Sequence, residues 1–333
     1  MTDEFAVTLV TVTYGRRLNL LSQLLDYALE EDCIENVVVV NNGLQENLSA
    51  IQAKWRAKLR VVDLGGNAGS AVGYAAGIKE AISINSNVIW LMDDDNVPLP
   101  GTLHRLLDEL GQLSSEVGRE KAATLGLRIA RAASAALMEY AYAPNSNFMG
   151  FDARVVFAKL YRAFKTRLGF CKALMPPTIS IPYSPYGGFM AHREAFEVLG
   201  LPRQDFVLYA DDWEYTRRLT KAGGAIRLVT NAIIKDVGTM WQAGVGEKIS
   251  FRNIITTTSK VRLYYTFRNH VWLNKSDATS NSFYTLNKYI YISIAFFITL
   301  FALKPGNFLL ICQAISDGEL GKLGENPSFQ LDS

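Results

Sequence analysis

Residues Ile89–Pro100, IWLMDDDNVPLP, run four large apolar residues directly into three consecutive carboxylates. The apolar half predicts a buried β-strand, which places the aspartates at its carboxyl end. Two carboxylates about 4 Å apart repel by about 4 kcal/mol at the effective dielectric of a protein surface, so the run needs a compensating charge. A bound cation is the first candidate.

The chain before this stretch alternates strand-like and helix-like segments. RLNLLSQLLDYALEE and AVGYAAGIKEAI predict two helices between strands. Continuous apolar strands alternating with helices predict an α/β fold with a mostly parallel sheet covered on both faces. The predicted strands are Phe5–Thr13, Asn36–Val40, Leu59–Leu64 and Asn87–Met92.

Polar or glycine-rich motifs follow each of these strands. They are Thr13–Arg16, Asn41–Gly43, Gly65–Gly69 and the aspartate run. Ligands of parallel sheets bind beyond the carboxyl ends of the strands. The four motifs therefore predict one crevice. Gly73 and Gly77, further along the second helix, are explained equally well by packing.

Composition limits the class of protein. The 333 residues are 49% hydrophobic, and 34 basic against 32 acidic side chains leave a net charge of +2, which does not suggest a nucleic-acid partner. Three widely spaced cysteines, Cys33, Cys171 and Cys312, indicate neither a disulfide framework nor a thiolate metal site. The acidic N-terminus lacks the features of a signal peptide, so we expect a cytoplasmic protein.

A second acidic motif lies in FVLYADDWEYTRRL, which contains Asp211, Asp212 and Glu214. A helix starting near Asp212 would favour acids in its first turn through the macrodipole, although this explains one acid better than three. In YGGFMAHREAFEVLG, Gly187 and Gly188 would let the backbone pack against a flat ligand or form a turn.

The three histidines have no partner at metal-ligand spacing, so a zinc site is not expected. Any metal should be held by oxygen ligands, which suit Mg²⁺ or Mn²⁺.

Seven segments in order carry a resemblance to a known family. They resemble the inverting family-2 glycosyltransferases with the GT-A fold and are most similar to the bacterial galactofuranosyltransferases and rhamnosyltransferases. The resemblance spans about Val7 to Leu273. It implies a GT-A catalytic domain over 1–250, an insertion within about 116–185 and a helical C-terminal region over 251–333. The segments are VTYGRR, VVNNG, GGNAGSAVGYAAGI, IWLMDDDNVPLP, GGFMAHREAFEVLGLP, FVLYADDWEYTRRL and YYTFRN.

The resemblance also implies roles for residues. Asp93 and Asp95 would bind the cation that bridges the donor diphosphate, and Asp94 would face the donor. Relatives place a histidine as third metal ligand, where NAIIKDVG offers Asp236 here. Asp212 would be the catalytic base. The acceptor would be placed by Asp211, Glu214, Gly187 and Gly188, and the donor pocket would be lined by Thr13, Tyr14, Arg16, Asn42, Asn67 and Gly69.

The implied reaction moves galactofuranose from UDP-galactofuranose to a hydroxyl of a growing cell-surface polysaccharide such as O-antigen, capsule or cell-wall galactan. The acceptor would be lipid-linked or an oligosaccharide. The alternatives are a rhamnosyltransferase using dTDP-rhamnose and a catalytically silent nucleotide-sugar-binding subunit of a glycan assembly complex, motivated by the missing histidine.

The C-terminal region contains the apolar run Tyr289–Leu303, YIYISIAFFITLFAL. Its fifteen residues are short of the about 20 that a membrane-spanning helix needs, which favours a buried or interfacial helix. Together with the basic amphipathic segment 154–172, this helix would seat the protein on the cytoplasmic face of the inner membrane. The alternative is an interface in a homo-oligomer or a core helix.

Overall fold

The secondary structure follows the alternating pattern of the sequence. The computed structural model describes residues 6–128, 146–154, 156, 176–238 and 251–331. The strands are β1 Val7–Gly15, β2 Ile34–Leu44, β3 Leu59–Asp63, β4 Val88–Asp93, β5 Asn96–Pro98, β6 Ala122–Arg128, β7 Thr178–Ile181, β8 Phe189–His192 and β9 Ala225–Asp236. The helices are α1 Leu18–Glu30, α2 Ser49–Trp55, α3 Ser70–Ser83, α4 Thr102–Val117, α5 Arg193–Leu199, α6 Asp211–Lys221, α7 Phe251–Ile255, α8 Lys260–Ser276, α9 Asn281–Phe301 and α10 Pro305–Glu319.

One sheet organises the fold. Its strand order is β3-β2-β1-β4-β8-β6-β9-β5, and β7 pairs with β9 outside this path. The first four strands in the order run parallel, whereas β8 is antiparallel to β4. The predicted α/β fold with a mostly parallel sheet is confirmed. The carboxyl ends of β1 to β4 consequently lie side by side, as the four terminal motifs required.

The glycines of α3 let this helix lie directly on the sheet. A Cβ on Gly73 would lie 2.6 Å from Cγ1 of Val12, and one on Gly77 would lie 2.5 Å from Cγ1 of Val10. Both distances are shorter than real Cβ contacts, so any side chain would push the helix away. Packing therefore explains these two glycines.

The middle of the chain differs most from the sequence-based description. The predicted insertion within 116–185 begins with structured elements, namely the end of α4 and strand β6, which inserts between β8 and β9. Apart from Arg154 and Val156, the basic segment 154–172 either lies outside the described residues or has no described side chain.

The C-terminal region is helical, as predicted, and has its own apolar cluster of residues such as Tyr265, Phe267 and Ile311. Helix α9 is 21 residues long, because it begins eight residues before the apolar run. By length and composition it could cross, and 28% of its most apolar window is buried. A single helix of this kind is weak support for a membrane span.

Candidate functional site

Arginine side chains balance the aspartate run. Arg17, which begins α1, approaches Asp94 with Nη2 2.6 Å from Oδ1 and Nε 3.0 Å from Oδ2. The same Nη2 lies 2.8 Å from Oδ2 of Asp95. Because Asp94 is only 2% exposed, this two-point contact keeps a buried carboxylate paired. The charge that compensates this end of the run comes from the protein itself.

A second arginine, Arg128 at the end of β6, joins the first aspartate to the last residue of β9. Its Nη1 donates to Oδ2 of Asp93 at 2.8 Å, and its Nη2 pairs with Oδ1 of Asp236. Asn96 donates from Nδ2 to both Asp95 and Asp236, at 3.0 Å each. The register explains the contact, since Asn96 and Asp236 are partners in the β5–β9 ladder. Asp236 thus lies beside the aspartate run, and its role as a metal ligand stays a prediction.

Burial sets the protonation of these groups. It raises the pKa of Asp94 to about 7, with Arg17 opposing the shift, and it also raises the pKa of Asp95. The hydroxyl of Tyr74 donates to Oδ1 of Asp93 at 2.9 Å, and burial raises the pKa of this phenol, which therefore stays a donor. The cluster thus places the four carboxylates of Asp93, Asp94, Asp95 and Asp236 beside the two guanidinium groups of Arg17 and Arg128.

The chemistry of the carboxylates fits a hard divalent cation. Asp93, Asp95 and Asp236 offer only oxygen atoms, and Oδ2 of Asp236 and Oδ1 of Asn96 are buried without a hydrogen-bond partner among the described residues. Arg128 nevertheless holds Asp93 and Asp236 in this structure, and the three carboxylates do not lie within 4.8 Å of one another as a group. A cation shared by all three requires Arg128 to move.

The second acidic motif forms the first turn of α6, as expected from the macrodipole. Asp211 is 2% exposed and accepts from Oγ of Ser70 at 2.9 Å, whereas Asp212 is partly exposed and accepts from its neighbour's backbone N–H. Burial raises the pKa of Asp211 to about 6, and the charge of Asp93 adds to the shift. The two acidic motifs therefore face the same space, and Asp212 is the more accessible of the adjacent pair.

Glu214, predicted to contact the acceptor, is paired within its own helix. Its Oε2 lies 2.5 Å from Nη2 of Arg218, and the side chain is 9% exposed. An acceptor hydroxyl would have to compete with this guanidinium. Acceptor binding by Glu214 stays a prediction, and such binding would have to break the ion pair between Glu214 and Arg218.

Strained backbone precedes the second acidic motif. Val207, Tyr209 and Ala210 have φ values of 65°, 65° and 61°, a region that non-glycine residues rarely adopt. The side chain of Asn269 on α8 donates to the carbonyls of Phe206, Leu208 and Tyr209 at 2.8 to 2.9 Å. Asn269, the last residue of the segment YYTFRN, thus clamps the turn that positions Asp211 and Asp212.

The glycine-rich loop is braced by Asn42. This buried side chain accepts from the Ala68 N–H at 2.8 Å and donates to the Gly69 carbonyl at 3.2 Å. Asn67 accepts from the Gly69 N–H at 3.2 Å. Gly69 has a φ of 86°, and a Cβ there would lie 2.1 Å from the carbonyl oxygen of Val207. The loop after β3 is consequently packed on the strained turn.

The remaining predicted residues line the same region. Tyr14 is 45% exposed and its ring lies under the guanidinium of Arg17, while Thr13 is fully buried. Arg16 is exposed and donates to Gln45 at 3.4 Å. A Cβ on Gly187 would lie 2.6 Å from Oδ2 of Asp93. Gly188 has a φ of 99° and packs on Ile234.

Arg17 and Arg128 are the site residues that sequence reasoning missed. The sequence contains a signal for Arg17, because two arginines, Arg16 and Arg17, directly follow β1 near the end of the neighbouring strand. The signal for Arg128 is weaker, since this residue ends the apolar run AATLGLR within the predicted insertion.

Comparison with known proteins bears on the fold. Residues 8–119 match the family model described as glycosyl transferase family 2. No curated protein matches the chain. Solved structures share its fold, which is GT-A-like.

Three of these solved structures illustrate the similarity in fold. GalNAc-T7 with UDP, GalNAc and Mn²⁺ is 12% identical, with a TM-score of 0.53 over 82% of this chain and 48% of that one, so this chain spans about half its length. The mannosyltransferase PcManGT from Pyrobaculum calidifontis, with GDP-Man and Mn²⁺, is 15% identical, with a TM-score of 0.50 over 97% and 77%. S. aureus TarS 1-349 with UDP-GlcNAc is 13% identical, with a TM-score of 0.52 over 94% and 80%.

Proposed function

We propose that this protein transfers a sugar from a nucleotide-sugar donor to a hydroxyl group, because residues 8–119 match the model of glycosyl transferase family 2. One observation carries the proposal: two acidic motifs, one suited to a cation and one with an accessible carboxylate, face a single crevice at the carboxyl ends of parallel strands. Ser70 and Tyr74, which lie one turn apart on α3, donate to Asp211 and Asp93 respectively, so the two acidic motifs lie against the same helix. Ligands of open α/β sheets bind at this edge.

In the proposed reaction, the carboxylate of Asp212 accepts the proton of the acceptor hydroxyl. The hydroxyl oxygen forms a bond to the anomeric carbon, and the bond from that carbon to the diphosphate oxygen breaks. The nucleoside diphosphate leaves with the bonding electron pair, and the anomeric centre is inverted. The accessibility of Asp212 beside the buried Asp211 supports this assignment.

Asp93, Asp95 and Asp236 would hold a divalent cation, Mn²⁺ or Mg²⁺. Such a cation supplies Lewis-acid stabilisation of the charge on the departing diphosphate. Arg17 and Arg128 already provide positive charge at the same end of the crevice, and their guanidinium groups match phosphate geometry. Both features suit a diphosphate donor.

For the donor we propose UDP-galactofuranose first and dTDP-rhamnose second, on the resemblance of the motif series. The structural neighbours were solved with UDP, UDP-GlcNAc and GDP-Man, so they fit a nucleoside diphosphate donor and favour no single base. The acceptor would be a lipid-linked or oligosaccharide hydroxyl of a growing cell-surface polysaccharide.

We also propose peripheral association with the cytoplasmic face of the inner membrane through α9. Apolar side chains on this helix are exposed, among them Tyr289 at 61%, Phe297 at 55% and Phe301 at 83%. An interface in a homo-oligomer would cover the same face. Vesicle flotation separates the two, because only a lipid-binding protein moves with the vesicles.

The second candidate is a nucleotide-sugar-binding subunit without catalytic activity. The pairing of Arg128 with Asp93 and Asp236, at the place where relatives are expected to complete a metal site with histidine, favours this candidate. Such a protein would bind the donor without turning it over.

A donor panel decides between the two. Purified protein is incubated with Mn²⁺, a lipid-linked or oligosaccharide acceptor, and UDP-, dTDP- or GDP-sugars, and release of nucleoside diphosphate is measured. An enzyme gives acceptor-dependent release with one donor. Donor binding without release across all acceptors would support the binding subunit, and no binding of any nucleotide sugar would contradict both.

A further inference from the structure

The end of α1 and the start of α4 bring together three side chains of different chemistry. Glu31 follows α1, Cys33 precedes β2, and His104 lies in the first turn of α4. A carboxylate oxygen, the sulfur and a ring nitrogen of these residues all lie within 4.8 Å of one another, and among the described residues this is the one such group of three. Spacing along the sequence does not reveal this group, because His104 is distant in the chain from Glu31 and Cys33.

We propose that Glu31, Cys33 and His104 bind Zn²⁺. Zinc accepts oxygen, sulfur and nitrogen ligands together, and three protein ligands with an open fourth position form a known type of zinc site. The hard cations expected at the aspartate run do not favour a thiolate. The mixed ligand set therefore distinguishes this site from the aspartate run.

The distances suit a shared ion better than a direct contact. Nδ1 of His104 lies 4.0 Å from Oε2 of Glu31, which is too long for a hydrogen bond. Two ligands that bind one tetrahedral zinc lie about 3.3 Å apart, given bonds of about 2.0 Å. The His104 side chain is 63% exposed, so it is free to make this small movement. Glu31 is more fixed, with 17% of its side chain exposed.

Tyr27 on α1 is the nearest further polar group of note. Its hydroxyl oxygen is buried without a hydrogen-bond partner among the described residues, and the charge of Glu31 acts on it.

The site is remote from the crevice. Arg17 begins α1 at the aspartate run, and the thirteen residues of α1 span about 20 Å before Glu31. An ion here would tie the α1–β2 junction to the start of α4 without touching the proposed reaction. Zinc binding and glycosyl transfer are therefore separable by experiment.

Cobalt substitution tests the proposal, because a Co²⁺–thiolate bond gives a near-ultraviolet charge-transfer band that oxygen ligands do not give. The chelator-treated full-length protein is titrated with Co²⁺ and then with Zn²⁺. We expect a thiolate band that saturates at one Co²⁺ per chain, whether or not the aspartate run binds further Co²⁺, and that one equivalent of Zn²⁺ abolishes. Binding should weaken at least about 10-fold in His104→Ala and lose the band in Cys33→Ser.

Cys312→Ser is the matched control, because Cys312 is also a free, partly buried cysteine but lies on α10. It should keep the band at full strength. His104→Ala changes an exposed side chain, so its loss of binding cannot be attributed to unfolding. A protein that shows no thiolate band, or a band that survives Cys33→Ser, would overturn the proposal.

Discussion

Arg128 donates a 2.8 Å hydrogen bond to Asp93, joining the end of β6 to the end of β4 across the intervening strand β8. The guanidinium side chain is 10% exposed and also pairs with Asp236. A buried arginine between two carboxylates occupies the position from which a cation could contact both.

Replacement of Arg128 should therefore destabilise the protein and make its stability depend on metal. Arg128→Ala leaves two carboxylates without their partner, which costs about 3–5 kcal/mol for a buried pair. Mn²⁺ should restore much of this loss. Thermal melts with and without Mn²⁺ measure both effects.

Arg60→Ala is the control for this change, because Arg60 forms a surface pair with Glu80 at 3.5 Å. Surface pairs contribute about 0–1 kcal/mol, so its melting temperature should barely move. A variant at Arg128 that melts like wild type, or does not respond to Mn²⁺, would show that the two carboxylates are not poised for a cation.

Loss of the Asn269 side chain should release the strained turn before α6. Asn269→Ala removes the donor to three carbonyl groups, each bond contributing about 1 kcal/mol, so we expect a loss of about 2–4 kcal/mol. Because the turn aims Asp212, turnover should fall more than donor affinity. Chemical denaturation and steady-state kinetics measure this, with the exposed Asn19→Ala as control. Unchanged turnover in Asn269→Ala would argue against the clamp.

Gly69 should tolerate no side chain. Gly69→Ala forces a positive φ on alanine, at about 1–2 kcal/mol, and also places Cβ 2.1 Å from the Val207 carbonyl oxygen. Gly223→Ala is the control. It also forces a positive φ on alanine, since Gly223 has a φ of 79°, but it causes no steric clash, since no atom lies within 4 Å of the added Cβ. Donor affinity, measured by calorimetry, should fall only in Gly69→Ala. Equal donor affinities in the two variants would show that the glycine-rich loop does not contribute to donor binding.

His192 should make the protein sensitive to acid. Burial lowers its pKa from 6.5 to about 4, so below pH 6.5 the unfolded chain takes up a proton that the folded protein does not. Stability is lost as the pH falls from about 6.5 to 4, by about 3 kcal/mol in total. The nearby charges are those of Arg119 and Glu194.

Urea denaturation at pH 7 and pH 4.5, with chelator present, measures this loss. His192→Gln should lose less stability between the two values than wild type, whereas the exposed His104→Gln should behave as wild type. An equal loss in His192→Gln would assign the acid sensitivity to other groups.

The sequence predicts the parallel half of the sheet well, because its strands are apolar along their whole length and their terminal motifs are polar. Helices α1 and α3 also lie where periodicity indicated, and α6 begins at Asp211, beside the helix start considered at Asp212. Strand β6 was missed because its surroundings have no clear periodicity. Its position between β8 and β9 depends on long-range pairing that local pattern does not encode.

The sequence predicts the acidic residues of the candidate site but not the arginines that balance their charge. Asp93, Asp95 and Asp236 are linked in one network of ion pairs and hydrogen bonds, yet the residues that compensate them are Arg17 and Arg128, which are distant from the run in sequence. Asn42 was predicted as a donor contact, and the structure shows it bracing the loop from a buried position. The trio of Glu31, Cys33 and His104 depends on α4 folding back against α1, which sequence spacing cannot reveal.

The direct test of the proposed reaction is the activity of Asp212→Asn beside its donor affinity. We expect nucleoside diphosphate release to fall by about 10²–10⁴-fold, because the acceptor proton loses its base, while the donor dissociation constant stays within about 3-fold of wild type. Asp108→Asn, an exposed change on α4, should alter neither. An Asp212→Asn protein that keeps more than about a tenth of wild-type turnover would contradict the assignment of Asp212 as the base.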